Sequence, residues 1–181
     1  MILTGHRIRE EVATGRITID PFDPALLNPD SYNYRIGPVL RVHRTHRIDA
    51  HAEHELDEFT IPAGGCVLEP GRIYLGTTVE RFGSAHFVPS LIGRSSVGRL
   101  GVFMEYSAYM GNLGACHAWT LEIEVVQRTR IYPGDRMGQI TWTVKSGEVP
   151  EYTGRFGRID EATLPSSGHF LTTPHHLEVP L

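Results

Sequence analysis

With 17 Lys and Arg against 21 Asp and Glu among its 181 residues, the chain carries a formal net charge of 17 − 21 = −4. That balance argues against a nucleic-acid polymer as partner, while a local basic site stays open. The length suits one domain with its own core. Two cysteines, Cys66 and Cys116, without a signal-peptide pattern read as reduced thiols of a soluble, cytoplasmic protein, and no apolar run is long enough for a membrane span.

In chain order, Thr4 is placed to cap a short helix that carries Ile8 and Val12 on one face and stops at Gly15. From Asp20 to Asp30 the prolines at 21, 24 and 29 argue against regular structure. Val39 to His43 reads as a strand. The polar stretch Arg44 to Glu58, with His46, His51 and His54, reads as an exposed excursion. Short apolar runs then recur: Cys66 to Leu68, Ile73 to Val79, Phe87 to Ile92, Val102 to Ala108, Ala118 to Val126 and Met137 to Val144. Turn signals at Pro62 to Gly65, Pro70-Gly71 and Pro133 to Asp135 separate them. From Glu148 onward Gly, Pro, Ser and Thr predict an irregular arm. Many short strands after one helix predict a mainly β fold, a barrel or a sandwich.

The segment Gly93-Arg94-Ser95-Ser96-Val97-Gly98-Arg99-Leu100-Gly101 concentrates glycine, hydroxyl and guanidinium groups between two apolar runs. Strand, Gly-rich turn, strand is the simplest expectation. Glycine lets backbone N–H groups approach an anion, and arginine suits phosphate. An ordinary turn with solvated arginines fits the same composition, so both readings stand.

Other chemistries lose their warrant. His51-Ala52-Glu53 matches half of the zinc-deaminase pattern, but the Pro-Cys-x-x-Cys half is missing, and His51 and His54 are too few ligands for a tetrahedral site. P-loop and dinucleotide glycine patterns are absent, as is a nucleophile elbow around Ser95 or Ser96. From Trp119 to Val125, apolar residues alternate with Thr120, Glu122 and Glu124, a strand with one polar face. Solvated side chains or a buried functional carboxylate both satisfy that pattern.

Gly93 to Gly101 resembles the signature segment shared by dCTP deaminases and trimeric dUTPases. Ser31-Tyr32-Asn33-Tyr34-Arg35-Ile36-Gly37 is similar to the deaminases' Ser-Tyr-Asp-x-Arg-x-Gly, with Asn33 for Asp, and Gly71 to Glu80 resembles the strand before the signature. The resemblance, from about Leu3 to about Ser167, implies a distorted β-barrel of the dUTPase-like, jelly-roll type. It would form a single domain with a helix and irregular segment over 1–38, the barrel over 39–147 and a C-terminal arm over 148–181. It also implies homotrimers with sites between subunits.

In that family the catalytic Glu lies fourteen residues after an Ala, a spacing that Ala108 and Glu122 keep. The resemblance therefore implies a metal-independent hydrolytic deaminase of a cytosine nucleotide, with Glu122, Ser95, Arg99 and Ala108 as its catalytic group. Arg94 and Ser96 would hold phosphate, with magnesium on the phosphate oxygens and no zinc. Met110, Asn112, Tyr152, Arg155 and Ile159 fall at substrate-contacting positions. Several of these depart from the family: Met110 stands for Arg, Asn112 for Asp, Ala115 for an aromatic, His117 for Gly and Ile159 for Gln. The substrate is accordingly dCTP-like, or a ribo- or modified nucleotide. A dUTP diphosphatase, a bifunctional enzyme and a non-catalytic nucleotide-binding homologue are the alternatives.

Overall fold

A computed structural model describes residues 1–104, 108–150, 152–154 and 157–162. It opens with α1 (Gly5–Ala13), where the Thr4 hydroxyl accepts the Arg7 N–H at 3.4 Å and Ile8 is fully buried. Glu11, on the same helix and also buried, is offset by Arg7 at 2.6 Å and Arg16 at 3.4 Å.

The strands are β1 (Thr18–Asp20), β2 (Tyr32–Arg35), β3 (Val39–His43), β4 (Leu56–Thr60), β5 (Cys66–Leu68), β6 (Tyr74–Gly83), β7 (Phe87–Gly93), β8 (Val102–Met104), β9 (Cys116–Val125), β10 (Thr129–Ile131) and β11 (Arg136–Val144). A single-turn helix, α2 (Ser95–Gly98), lies between β7 and β8. The larger sheet runs β4-β3-β6-β9-β8, with β1 also paired to β6; a second runs β2-β11-β7, and β10 pairs with β5.

The mainly β expectation is met. The described strands bond as three sheets, however, and no continuous closed barrel is formed among them. Side chains from the two larger sheets share one core. Phe82 of β6 meets Tyr32 of β2 at 6.0 Å and Trp142 of β11 at 6.2 Å between ring centroids, both edge-on. Burial of Tyr32 pushes its phenol up to about 12, although its oxygen accepts the Asp23 N–H.

Several local expectations are corrected. The stretch from Asp20 to Asp30 contains a 3-10 turn at Pro24–Leu26, because proline is tolerated at a helical first position and Asp23 caps it at 2.9 Å. The polar excursion ends in β4, which pairs with β3 as an edge strand and keeps its acidic residues in solvent. The signature segment coils into α2 in place of a plain turn, which directs Val97 against the core. The strand expected over Val102 to Ala108 is described only to Met104, and Ala108 itself lies outside any strand. No apolar run announced β1, β2 or β10.

The two larger sheets are clipped together by the family-like Ser31 to Gly37 segment. Arg35 donates from Nε to Glu80 Oε1 at 2.6 Å and from its backbone N–H to Glu80 Oε2 at 3.0 Å. Ile36 bridges Thr78, and the Gly37 N–H donates to the Thr77 carbonyl at 2.7 Å. Glu80 is fully buried whereas Arg35 is 29% exposed, so the two partners are not equivalent. Arg35→Ala strands a carboxylate away from water and is expected to cost about 3–5 kcal/mol. Glu80→Gln keeps an acceptor for the Arg35 N–H and should cost less. Urea unfolding of both variants tests this order, and equal midpoints would contradict it.

Candidate functional site

Ser95 and Ser96 open α2 and are exposed, and their hydroxyls take no hydrogen bond among the described residues. Arg94, in extended conformation just before the helix, donates from Nη1 to the Arg136 carbonyl at 3.2 Å. Arg99 closes the turn through its N–H to the Ser95 carbonyl at 3.0 Å, leaving its exposed guanidinium without a described partner.

Beneath this turn lies a cleft of about 250 Å³, with Val97, Leu100 and Met137 among its apolar walls. Arg94, Arg130 and Arg136 also line it, with Asp135 as its one carboxylate. Three guanidinium groups against one carboxylate suit a polyanion with an apolar neighbour. Arg130 and Arg136 are the lining cations that sequence reasoning missed. They lie far along the chain from the signature, and only the β10–β11 turn brings them to it.

Glu122 lies on β9, opposite Leu75 of β6. The strand alternates as the sequence predicted: Leu121, Ile123 and Val125 are buried, while Thr120, Glu122 and Glu124 are half-buried on the other face. The Glu122 carboxylate makes no hydrogen bond or ion pair among the described residues. Helix α2 is tied to this strand by topology, since it leads into β8, which pairs with β9 from Val102↔Val125 to Met104↔Ile123. Arg99 and Glu122 form no ion pair within the chain. The structure thus places the expected catalytic residues on adjoining elements without joining their side chains.

Ala108, Met110 and Asn112 are exposed on a segment laid against β7. Leu91 donates to the Tyr109 carbonyl at 2.7 Å, Gly111 donates to that of Pro89 at 2.9 Å, and Met110 bridges Ser90. Farther on, Ala115 is buried, and His117 stacks on Trp119 with ring centroids 5.0 Å apart and 13° between planes. Tyr152 donates its N–H to the Leu113 carbonyl at 2.8 Å, and Ile159 is half-buried. Arg155 lies outside the described residues.

The arm is pinned by groups that the sequence did not single out. Asp160 accepts the Ala118 N–H at 2.7 Å and pairs with Arg81. Arg41 reaches Glu161 at 3.2 Å and the Ala162 carbonyl. Separations of 79 and 120 residues leave no local signal for such contacts.

Among the described residues no group of three or more His, Cys, Asp or Glu could hold a metal ion, and Cys66 and Cys116 are both free thiols. Nor is any described helix long and apolar enough to cross a membrane.

These features define a mainly β protein with an arginine-lined cleft beside a hydroxyl-bearing turn and a separate carboxylate. Residues 2–143 match the family model described as dCTP deaminase-like. A relative from Hathewaya histolytica, named dCTP deaminase, dUMP-forming, is 43% identical over 153 residues, 84% of this chain and 88% of that protein. One of the same name from Leptospira biflexa serovar Patoc is 39% identical over 166 residues, 92% and 95% of the two chains. The crystal structure of 2'-deoxycytidine 5'-triphosphate deaminase from Agrobacterium tumefaciens matches with a TM-score of 0.64 at 22% identity, covering 80% of this chain and 48% of that one, a likeness of fold. The chain belongs to the dCTP deaminase-like family.

Burial pushes the His117 imidazole below its usual 6.5, a shift that the Ala118 carbonyl and Asp160 oppose and Arg81 assists. Below that value the unfolded chain binds a proton that the folded chain resists. The stability from neutral His117 is therefore complete above pH ~6.5 and lost as pH falls toward the lowered value. His117→Phe keeps an aromatic ring on Trp119 and removes the titration. Its unfolding midpoint should fall less than that of the unsubstituted protein between about pH 7.5 and about pH 5.5. Parallel declines would contradict the assignment.

Proposed function

We propose that this protein hydrolytically deaminates a cytosine nucleotide, and that it does so as a cytoplasmic homotrimer with sites completed between subunits. The observation that carries the reading is Glu122. Its half-buried carboxylate, without a partner among the described residues, projects from a strand whose alternate side chains are locked in the core, at the family's spacing from Ala108. A rigid strand suits a proton-transfer group, because geometry within hydrogen-bond reach decides such catalysis.

In the proposed reaction Glu122 takes a proton from a water whose oxygen attacks C4 of the cytosine ring. The carboxyl returns that proton to ring N3 and then carries the second proton, from the oxygen now on C4, to the amino group; the C4–N bond breaks, and ammonia leaves with the uracil nucleotide. Ser95 and the Ala108 carbonyl position the water and the amino group. Arg99 balances the Glu122 charge in the assembled trimer, since the two form no ion pair within one chain.

Arg94, Ser95 and Ser96 hold phosphate beside the cleft, and Tyr152, Arg155 and Ile159 contact the nucleotide from the arm. Magnesium would enter as part of the substrate, carried on its phosphate oxygens, since one carboxylate among three guanidinium groups suits phosphate better than a bare cation.

The relatives' name supports a second reading. Forming dUMP from dCTP takes one water for ammonia release and another for pyrophosphate release. Against that stands Asn112, since an amide cannot serve as a carboxylate base.

Cytosine mono-, di- and triphosphates in ribo and deoxy forms, assayed for ammonia and pyrophosphate together, test both readings. Ammonia without pyrophosphate is expected, and pyrophosphate in step with ammonia would establish the bifunctional activity. Glu122→Gln keeps the shape but not the base, and should lower ammonia release by at least ~10²-fold while the oligomer persists. Near-normal turnover by that variant would remove Glu122 from its role.

With Met110, Asn112 and Ala115 in place of Arg, Asp and an aromatic, exclusion of ribose should be relaxed. The expected kcat/KM for CTP lies within about a thousandfold of that for dCTP, roughly 4 kcal/mol. A wider gap would mean that the deoxyribose filter is intact.

A further inference from the structure

Gly111 occupies a slot that admits no side chain. A Cβ placed there would meet Trp119 Cη2 at 1.8 Å, Trp119 Cζ2 at 2.6 Å and Pro89 Cγ at 2.8 Å. Nothing flexible stands in the way that could yield. The Trp119 ring is buried, its Nε1–H donates to the Phe82 carbonyl at 3.1 Å, its backbone N–H donates to Thr78 Oγ1 at 2.8 Å, and His117 stacks upon it. Pro89 is fixed within β7 opposite Trp142. The backbone at Gly111 therefore rests directly on an indole held in place by β6 and by His117 of its own strand.

Gly111 lies in the segment that carries Ala108, Met110 and Asn112, while Trp119 stands on β9, three residues before Glu122. We propose that Trp119 is a positioning residue whose ring, with Pro89, seats Gly111 and so fixes the Ala108–Asn112 segment relative to the strand bearing Glu122.

This rests on the deaminase reading, in which the Ala108 carbonyl and the Glu122 carboxylate act on the same water. Their relative placement must hold to a fraction of an ångström, since a displacement of about 1 Å can cost ~10²-fold in rate. Backbone hydrogen bonds to β7 secure the segment to the other sheet. The Gly111–Trp119 seat references it to β9.

The test is a double-mutant cycle on the full chain. Gly111→Ala forces the segment off the ring and should lower kcat/KM by about 10²-fold, chiefly in kcat. Phenylalanine lacks the two indole carbons that the new Cβ would strike, and the space they vacate lets the segment shift away from Pro89 Cγ, the remaining close approach at 2.8 Å. Gly111→Ala placed in a Trp119→Phe background should therefore recover activity to within about tenfold of the unsubstituted enzyme. Because Met110 and Asn112 move with the segment, the CTP to dCTP ratio of kcat/KM should change in Gly111→Ala and return in the double variant.

Unfolding midpoints, measured alongside, separate positioning from loss of structure, because a structural role alone would lower stability without altering kcat or the substrate ratio of the folded fraction. If Gly111→Ala fails to fold, Trp119→Phe carries the test. It opens a gap under Gly111, so its kcat should fall and then rise when Gly111→Ala is added. Unchanged kcat and substrate ratio in Gly111→Ala, or a double variant no better than the product of the singles, overturns the proposal. An unsubstituted protein that releases no ammonia from any cytosine nucleotide defeats the reading of function itself, and this role with it.

Discussion

The ion pair between Arg35 and Glu80 is the constraint on which the arrangement depends. A fully buried carboxylate is tolerable only when its charge and lone pairs are met, and Arg35 meets them from both side chain and backbone. Because the partners belong to β2 and β6, that requirement fixes one sheet against the other. It also sets where β9 lies, since β9 pairs along β6 from Tyr74↔Ile123 to Gly83↔Cys116. The register of β6 on β9 decides which face of β9 is buried, and hence that Glu122 is left half-buried, with no partner among the described residues.

The same requirement explains the Ser31 to Gly37 segment. It resembles a family motif, but its side chains are structural in this fold. Ser31 donates to Gln139 Oε1 at 2.9 Å, and Asn33 donates to the Leu26 carbonyl at 3.0 Å and to Asn28 Oδ1 at 3.1 Å. Tyr32 and Tyr34 are fully buried. A sequence motif marks positions that tolerate little change without telling whether chemistry or packing forbids it; these contacts are packing.

Elements governed by local physics were legible in the sequence. The Thr4-capped helix follows from the cap and its periodic apolar face, and the alternation from Trp119 to Val125 gives the strand and the orientation of Glu122. Illegible were elements whose cause lies elsewhere in the chain. β1 and β10 have three residues each and exist because β6 and β5 offer them edges. The helical turn after Arg94 forms because Val97 has a core to enter. The candidate site divides in the same way: spacing and likeness single out Glu122, Ser95, Arg99 and Ala108, whereas Arg130, Arg136, Asp160 and Trp119 join the region through tertiary contact alone.

Residues 111–119 share one packed volume. Ala115 is buried with a small side chain, while Trp119 fills space four positions later and leaves room only for a glycine at 111. Interiors are packed too densely for either position to change singly, since a lost ring leaves a cavity and a gained one requires a vacated neighbour. On the proposed reading this packing keeps the support under the Ala108–Asn112 segment while leaving position 115 without bulk. Chemistry that depends on the Ala108 carbonyl and Glu122 would then be preserved as the surroundings of the sugar change, and that combination is what a deaminase needs in order to accept a different cytosine nucleotide.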